Sequence, residues 1–397
     1  MFLEYRHVVC QLWLHLLELL QSTLQNAFAI LQRSVNSWEL DELRGEQEVL
    51  AHPPVASPSR TEVITSEMKS ECVATCLVQH GCDDITSALD LRHCQHHPFA
   101  RGGFGVVYQG VLKDGRRVAI KCIESFGGHM SPHGKNLKRS AREIYMWSRC
   151  NHQGILPMLG FAHFRGQIAL ISPWMEAGSL RQHILGGLLV PPLQTCAQLA
   201  TAVEYMHTNG IVHGDIKPVT STHLAPTFVV AEARSQDNVL LTDQGQVQLA
   251  DFGSAISTLA TTLNFTQTSS FHFTTRFAAP EVLKEDNHTF TKEGDIYALG
   301  MTIYSVLAGQ IPFADKWEAS VIIEVVYKKG QPSRPDFARS LQGDAAKAKM
   351  WDLLQRCFAY EPGDRPTAIK VKEDLLEVEK LNSVPGWEIG VAFDRND

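Results

Sequence analysis

Six residues between positions 121 and 251 have types and spacings suited to handling a strongly anionic group. Lys121 ends the apolar run VAIK, and Glu143 lies 22 residues further on in REIYMW. HGDIKP carries Asp215 and Lys217; Asn238 begins NVLL, and Asp251 begins DFG 13 residues later. A lysine among apolar strand neighbours is a fixed positive charge, and a carboxylate on a helix can hold it in place by an ion pair. Asn238 and Asp251 offer hard oxygen donors for a divalent cation such as Mg²⁺. Asp215 can accept the hydrogen bond of an incoming hydroxyl, and Lys217 can neutralise charge on a transferred group. Upstream, ARGGFGVVYQG (from Ala100) is glycine-rich between strand-like flanks. Backbone N–H groups at Gly102, Gly103 and Gly105 can approach phosphate oxygens that a Cβ would keep away. Each piece is common alone. In this order they describe phosphoryl transfer from a nucleoside triphosphate.

The elements that must position these residues are legible nearby. GVVYQGVLKDGRRVAIKCI reads as two strands joined at Asp114-Gly115, a hairpin signal. KRSAREIYMWSRC has helical period and carries Glu143. QIALISPWM reads as a strand, and LQTCAQLATAVEYMHTNG as an amphipathic helix stopped at Gly210. Asn238 and Asp251 flank a strand–turn–strand, and after residue 290 the pattern is almost entirely helical. Strands first and helices later predict an α+β chain of two lobes, one rich in sheet and one helical.

Residues from about 95 to 381 resemble a eukaryotic protein kinase domain. Three further motifs carry the resemblance: FAAPEV supplies an Ala-Pro-Glu, GDIYALGMTIYSVLAGQIPF an Asp-x-x-x-x-Gly helix, and RCFAYEPGDRPT a terminal arginine, Arg365, expected to pair with Glu281. ISPWMEAGSLRQHI and ILPMLGF look most like tyrosine-kinase-like members, a group numerous in mushroom-forming fungi. The resemblance implies a small β-rich lobe over about 95–175 and a larger α-helical lobe over about 176–381. It implies ATP and Mg²⁺ as cofactors and protein substrates in signalling. Asp215 is then the catalytic base, Asn238 and Asp251 the metal ligands, and Lys121 the phosphate-binding lysine held by Glu143. Ser172 falls at the gatekeeper position, with Met175 offering hinge N–H and C=O groups to adenine. Val107, Ala119 and Leu240 are expected to sandwich the purine. Thr274, and Lys217 two residues after Asp215, favour Ser/Thr over Tyr as acceptor.

The chain departs from the family in three places. The first loop glycine is Ala100. Gly214 stands where many kinases carry an arginine that binds activation-loop phosphate, although this loop is rich in Ser and Thr. Most seriously, Asp215 and Asn238 are 23 residues apart where the family has five. The excess of 18, Val219 to Gln236, leaves HGDIKPDNVLLTD when removed. Such a segment is tolerated only if Pro218 and Asp237 stay near one another with the extra chain looped outward. It is either a genuine insertion or a retained intron: 18 codons are 54 nucleotides, Val begins GT, and CAG encodes Gln. We read it as a retained intron. The alternative to an active kinase is a nucleotide-binding pseudokinase scaffold.

A net charge of −7 gives no electrostatic reason to expect nucleic acid. Nine cysteines without a framework suggest reduced thiols in the cytoplasm. Residues 1–50 read as helical, with leucines from Leu12 to Leu24 at helical spacing; the apolar run falls short of a membrane span and suggests a packing or partner-recruiting amphipathic helix. Residues 51–82 read as a flexible linker, 83–381 as the kinase domain and 382–397 as a loose tail. Cys72, Cys76, Cys82 and Cys94 with His93, His96 and His97 fit no usual zinc spacing.

Overall fold

The computed structural model describes residues 62–102, 105–123, 133–185, 191–218, 237–259, 261–266, 274–284, 290–337 and 340–383. The helix expected over 1–50, Gly103, the inserted residues 219–236 and most of the tail lie outside these.

Alternation with a period of two builds the small lobe. Strands β2 (Ala100–Gly102), β3 (Gly105–Val111), β4 (Arg117–Cys122), β5 (Gly160–Phe164) and β6 (Gln167–Pro173) form one antiparallel sheet in the order β2-β3-β4-β6-β5. Val106, Tyr108, Val118, Ile120 and Cys122 bury one face of it in an apolar cluster with Phe164 and Ile171. The β3–β4 connection closes at Gly115, at φ 89, as the Asp-Gly pair requires. Helix α2 (His133–Ser148) packs on the other face, Ile144 clustering with Phe161, Ile168 and Leu170.

The larger lobe is helical: α3 (Leu180–Leu185), α4 (Pro192–Thr208), α5 (Pro280–Leu283), α6 (Lys292–Ala308), α7 (Glu318–Ile322), α8 (Asp344–Cys357) and α9 (Ala368–Asn382). Thr291 caps α6 by accepting the Gly294 N–H, and α6 is buried along nearly its whole length, which makes it the pillar of this lobe. Two small antiparallel pairs complete it. β8 (Val239–Leu241) pairs with β9 (Val247–Leu249), and β7 (Ile211–Val212) pairs with β10 (Ile256–Ser257). Arg365 donates to both carboxylate oxygens of Glu281, at 2.6 and 2.7 Å, tying α5 to the turn before α9 as the motif spacing implies. No helix among the described residues is long and apolar enough to cross a membrane.

One expectation needs correcting. The second half of the linker predicted over 51–82 is ordered structure: strand β1 (Glu62–Ile64) and helix α1 (Ser70–Gln79), with Ile64, Val73 and Leu77 fully buried. Burying three such side chains contributes roughly 1.5–3 kcal/mol each, enough to hold a short segment down. β1 pairs in parallel with β11 (Leu263–Phe265), far along the chain. A three-residue strand whose partner lies about 200 residues away leaves no local periodicity to find.

Candidate active site

The pleat of the sheet decides what faces the cleft between the lobes. Along β3 and β4 the buried residues alternate with half-buried Val107, Ala119 and Lys121, so these three share the face opposite the apolar cluster. Register confirms it: Val107 lies opposite Lys121 and Ala100, and Ala119 lies opposite Ser172. Leu240, half-buried on β8, belongs to the other lobe and is bridged to Ser179. Gly102 and Gly105 close the β2–β3 turn opposite one another.

Lys121 is held from two sides. Its Nζ donates to Glu143 Oε1 at 2.7 Å and lies 2.9 Å from Asp251 Oδ1. The 22-residue spacing therefore does bring strand and helix together as an ion pair, with Glu143 almost fully buried. Burial pushes the Glu143 carboxyl up to about 7, against the pull of Lys121. Burial alone would also raise Asp251, but the Lys121 charge and hydrogen bond outweigh it and hold Asp251 below the usual carboxylate range. For Lys121 burial opposes the charge, yet the two carboxylates win and keep the ammonium protonated.

The catalytic loop closes across its interruption. Asn238 Nδ2 donates to the Asp215 carbonyl at 2.7 Å and to Asp215 Oδ2 at 3.1 Å, although 23 residues separate them. Lys217 Nζ donates to the same Oδ2 at 2.5 Å. Asp237, the first described residue after the gap, accepts the Ser179 hydroxyl at 2.6 Å, and Pro218 on the other side is buried. All of Asp215, Lys217 and Asn238 are buried, and burial raises the Asp215 carboxyl despite Lys217. A base with a raised pKa is better matched to taking a hydroxyl proton.

Asp295 holds this loop in place, and motif reasoning did not single it out as a site residue. At the start of α6 its carboxylate accepts the His213 N–H and the Gly214 N–H, each at 2.8 Å, and lies 3.0 Å from His207 Nε2. The aspartate of Asp-x-x-x-x-Gly was the available signal. His213 donates from Nε2 to the Ala250 carbonyl at 3.2 Å and accepts the Asp215 N–H at Nδ1, the pattern of a neutral imidazole. Its ring lies 5.2 Å from Phe252, which stacks on Trp147 of α2 at 5.8 Å. Trp147 donates its indole N–H to Leu156 O at 2.6 Å. A run of ring contacts thus joins the helix of Glu143, the Asp-Phe-Gly turn and the loop of Asp215.

Gly214 has a local reason to stand where many kinases carry arginine. Its φ is 79, and a Cβ there would sit 2.9 Å from the Phe290 ring and 3.0 Å from Ser254 O. Any side chain would be strained by both backbone and space. Thr274 lines the same cavity as Asp215, together with Phe277 and Phe290, as its position before Ala279 implies.

Ser172 is buried at the end of β6, and Met175 is half-buried beyond it, its carbonyl accepting the Gly178 N–H at 3.2 Å. Trp174 between them meets the Phe99 ring edge-on at 4.6 Å. Asn238 spends its amide nitrogen on Asp215, and among the described residues its buried Oδ1 has no hydrogen-bond partner. A buried carbonyl oxygen left over beside an acidic residue is what a hard divalent cation takes as ligand, so the residues present fit Mg²⁺. Among the described residues no cluster of three or more His, Cys, Asp or Glu could hold a metal, and Cys82 and Cys94 are buried in separate apolar clusters.

A sheet-rich lobe over a helical one, with lysine, glutamate, aspartates and asparagine converging between them, defines the architecture of phosphoryl-transfer domains. The family model described as "Protein kinase domain" matches residues 95–220 and 235–376, breaking inside the inserted segment. The chain belongs to the protein kinase domain family. It is 27% identical over 318 residues to the "Protein kinase and PP2C-like domain-containing protein" of Arabidopsis thaliana, covering 73% of this chain and 43% of that protein. It is 27% identical to the "Probable serine/threonine-protein kinase PknB" of Lactococcus lactis, covering 71% of this chain and 42% of that protein. With the "Serine/threonine-protein kinase PknK" of Mycobacterium bovis it shares 32% identity over 72% of this chain and 23% of that protein. The chain spans less than half the length of these relatives.

Proposed function

We propose that the chain is an ATP-dependent kinase that transfers the γ-phosphoryl group to Ser or Thr hydroxyls of protein substrates, in cytoplasmic signalling. The observation that carries this reading is the Asn238–Asp215 pair of hydrogen bonds, which rebuilds the short catalytic loop despite the inserted residues. The Ser/Thr preference is supported by Lys217 beside Asp215, by Thr274 on the same cavity, and by relatives named serine/threonine-protein kinases. The hinge wording ISPWMEAGSL favours the tyrosine-kinase-like group within the family and a fungal type.

Each residue has a role in the transfer. Lys121 binds the non-transferred phosphates, kept in place by Glu143. Asn238 and Asp251 would hold Mg²⁺, which when bound neutralises phosphate charge. Asp215 orients the acceptor hydroxyl for in-line attack and takes its proton. Lys217 offsets charge on the transferring group, and the bond to the ADP oxygen breaks as the bond to the acceptor oxygen forms.

A second reading, a nucleotide-binding scaffold without turnover, is favoured by the inserted residues alone. We read Val219–Gln236 as a retained intron, supported by the break in the family match over 221–234. Phosphotransfer to a Ser/Thr-rich protein, followed by phosphoamino-acid analysis, separates kinase from scaffold and Ser/Thr from Tyr. Nucleotide binding without labelled product would favour the scaffold.

A further inference from the structure

Residues 62–81 precede the segment matched by the family model, yet they touch two elements that catalysis needs in place. β1 pairs residue for residue with β11, Glu62 opposite Leu263 and Ile64 opposite Phe265. Two flanking bonds extend the pairing: the Glu62 N–H donates to Thr262 O at 3.0 Å, and the Thr266 N–H donates to Ile64 O at 3.2 Å. β11 lies between Asp251 and Glu281, in the segment that runs from the Asp-Phe-Gly turn to Ala-Pro-Glu.

The same residues also grip α2, the helix of Glu143. Val73 and Leu77 of α1 share an apolar cluster with Ile144 and Tyr145. The His80 ring meets the Tyr145 ring edge-on at 6.2 Å, and Tyr145 lies 6.0 Å from Phe265 of β11. Cys82 Sγ is 3.4 Å from Ser148 Oγ at the far end of the helix. At its near end, a Cβ on Gly134 would fall 1.7 Å from the Ser66 carbonyl oxygen, so the first turn of α2 lies directly on the β1–α1 connection. Lys138 closes the triangle by donating to the Thr266 carbonyl and hydroxyl, both at 3.0 Å.

A segment that merely covered apolar surface would need neither a ladder to β11 nor a glycine on α2. We propose that Glu62–Gly81 is a built-in positioning brace, which holds α2 so that Glu143 stays on Lys121 and fixes the β11 segment at the same time. Ile64 and Leu77 are its positioning residues, and Gly134 is where α2 receives it. Its catalytic consequence rests on the kinase reading above; its mechanical consequence does not. Because the brace is encoded outside the family domain, whatever displaces it would release Glu143 without touching the nucleotide cleft.

The test uses the full chain with Ile64→Asp, Gly134→Ala and the conservative Ile64→Val. Hydrogen exchange is read first. In Ile64→Asp and Gly134→Ala, amides of α2 and β11 should exchange about tenfold faster or more, with α6 and α8 unchanged and Ile64→Val like the parent. Unchanged protection of α2 and β11 overturns the proposal, and so does an equal loss in α6 and α8, the mark of plain destabilisation. The second reading is a double-mutant cycle on kcat/KM. Gly134→Ala should cost about fivefold or more alone and add almost nothing when Glu143→Gln is already present. Losses that multiply overturn the proposal. If the parent chain shows no turnover, the kinase reading fails, and the exchange result still decides the brace.

Discussion

Replacing Glu143 with Gln isolates one charge at the centre of the site. The side chain keeps its size and an acceptor oxygen, and Lys121 loses one of its two carboxylates. Leaving a buried charge with no partner costs about 3–5 kcal/mol, whereas a lost neutral hydrogen bond costs about 0.5–1.5 kcal/mol. Lys121 retains Asp251 at 2.9 Å, so the loss falls between these ranges. If a similar share of the loss falls on the transition state, through a less firmly placed Lys121, about 2 kcal/mol corresponds to roughly 30-fold in kcat/KM. The pH profile supplies an independent signature. Glu143 is pushed up to about 7, so the parent chain should lose kcat/KM as pH falls below that value and the carboxyl protonates. The variant has no such group and lacks that acid limb. Stability moves the other way. A carboxyl whose folded value exceeds the ordinary 4.5 contributes its full stability below pH 4.5 and loses it as pH rises through about 7. That loss is on the order of 3 kcal/mol and is absent from the Gln variant. The assays are initial-rate phosphotransfer from pH 5.5 to 8.5 and thermal melts at about pH 4.5 and 8. A loss under about threefold, or an acid limb unchanged in the variant, would refute this account of Glu143.

Three further outcomes follow from the same structure. Excising residues 219–236 joins Pro218 to Asp237, and kcat/KM should stay within about threefold of the full chain because Asn238 already reaches Asp215. A gain above about tenfold would mean the loop is unformed in the full chain. Trp147→Ala removes a fully packed indole, its 2.6 Å bond to Leu156 and the stack on Phe252; denaturant unfolding should show a loss of about 3–5 kcal/mol, with a fall in kcat as Phe252 loses its support. Arg365→Ala leaves Glu281 without its bidentate partner and should cost about 3–5 kcal/mol by the same measurement.

Much of the site was legible because its chemistry demands fixed residue types at fixed spacings. The 22 residues from Lys121 to Glu143, the strand–turn–strand between Asn238 and Asp251, and the Arg365–Glu281 pair all fall where the motifs place them. The cleft face was legible from the alternation that sets Val107, Ala119 and Lys121 together. What escaped notice depends on tertiary partners. Asp295 takes its role from the His213 and Gly214 backbone N–H groups and the His207 ring, all over 80 positions away. The β1–α1 segment reads as linker in sequence because the preceding Pro- and Ser-rich stretch runs into a three-residue strand and a helix with only Val73, Ala74 and Leu77 buried. Gly214 reads in sequence as a missing arginine. Its left-handed backbone and the Phe290 ring explain it as a position with no room for one.

The most direct measurement is time-dependent incorporation of labelled γ-phosphate into a Ser/Thr-rich protein by the full chain, beside Asp215→Asn. General-base catalysis contributes about 10²–10⁴-fold, so the account predicts product containing phosphoserine or phosphothreonine, and at least a 100-fold lower rate in the variant. Nucleotide binding by both forms with no difference in labelled product would contradict it.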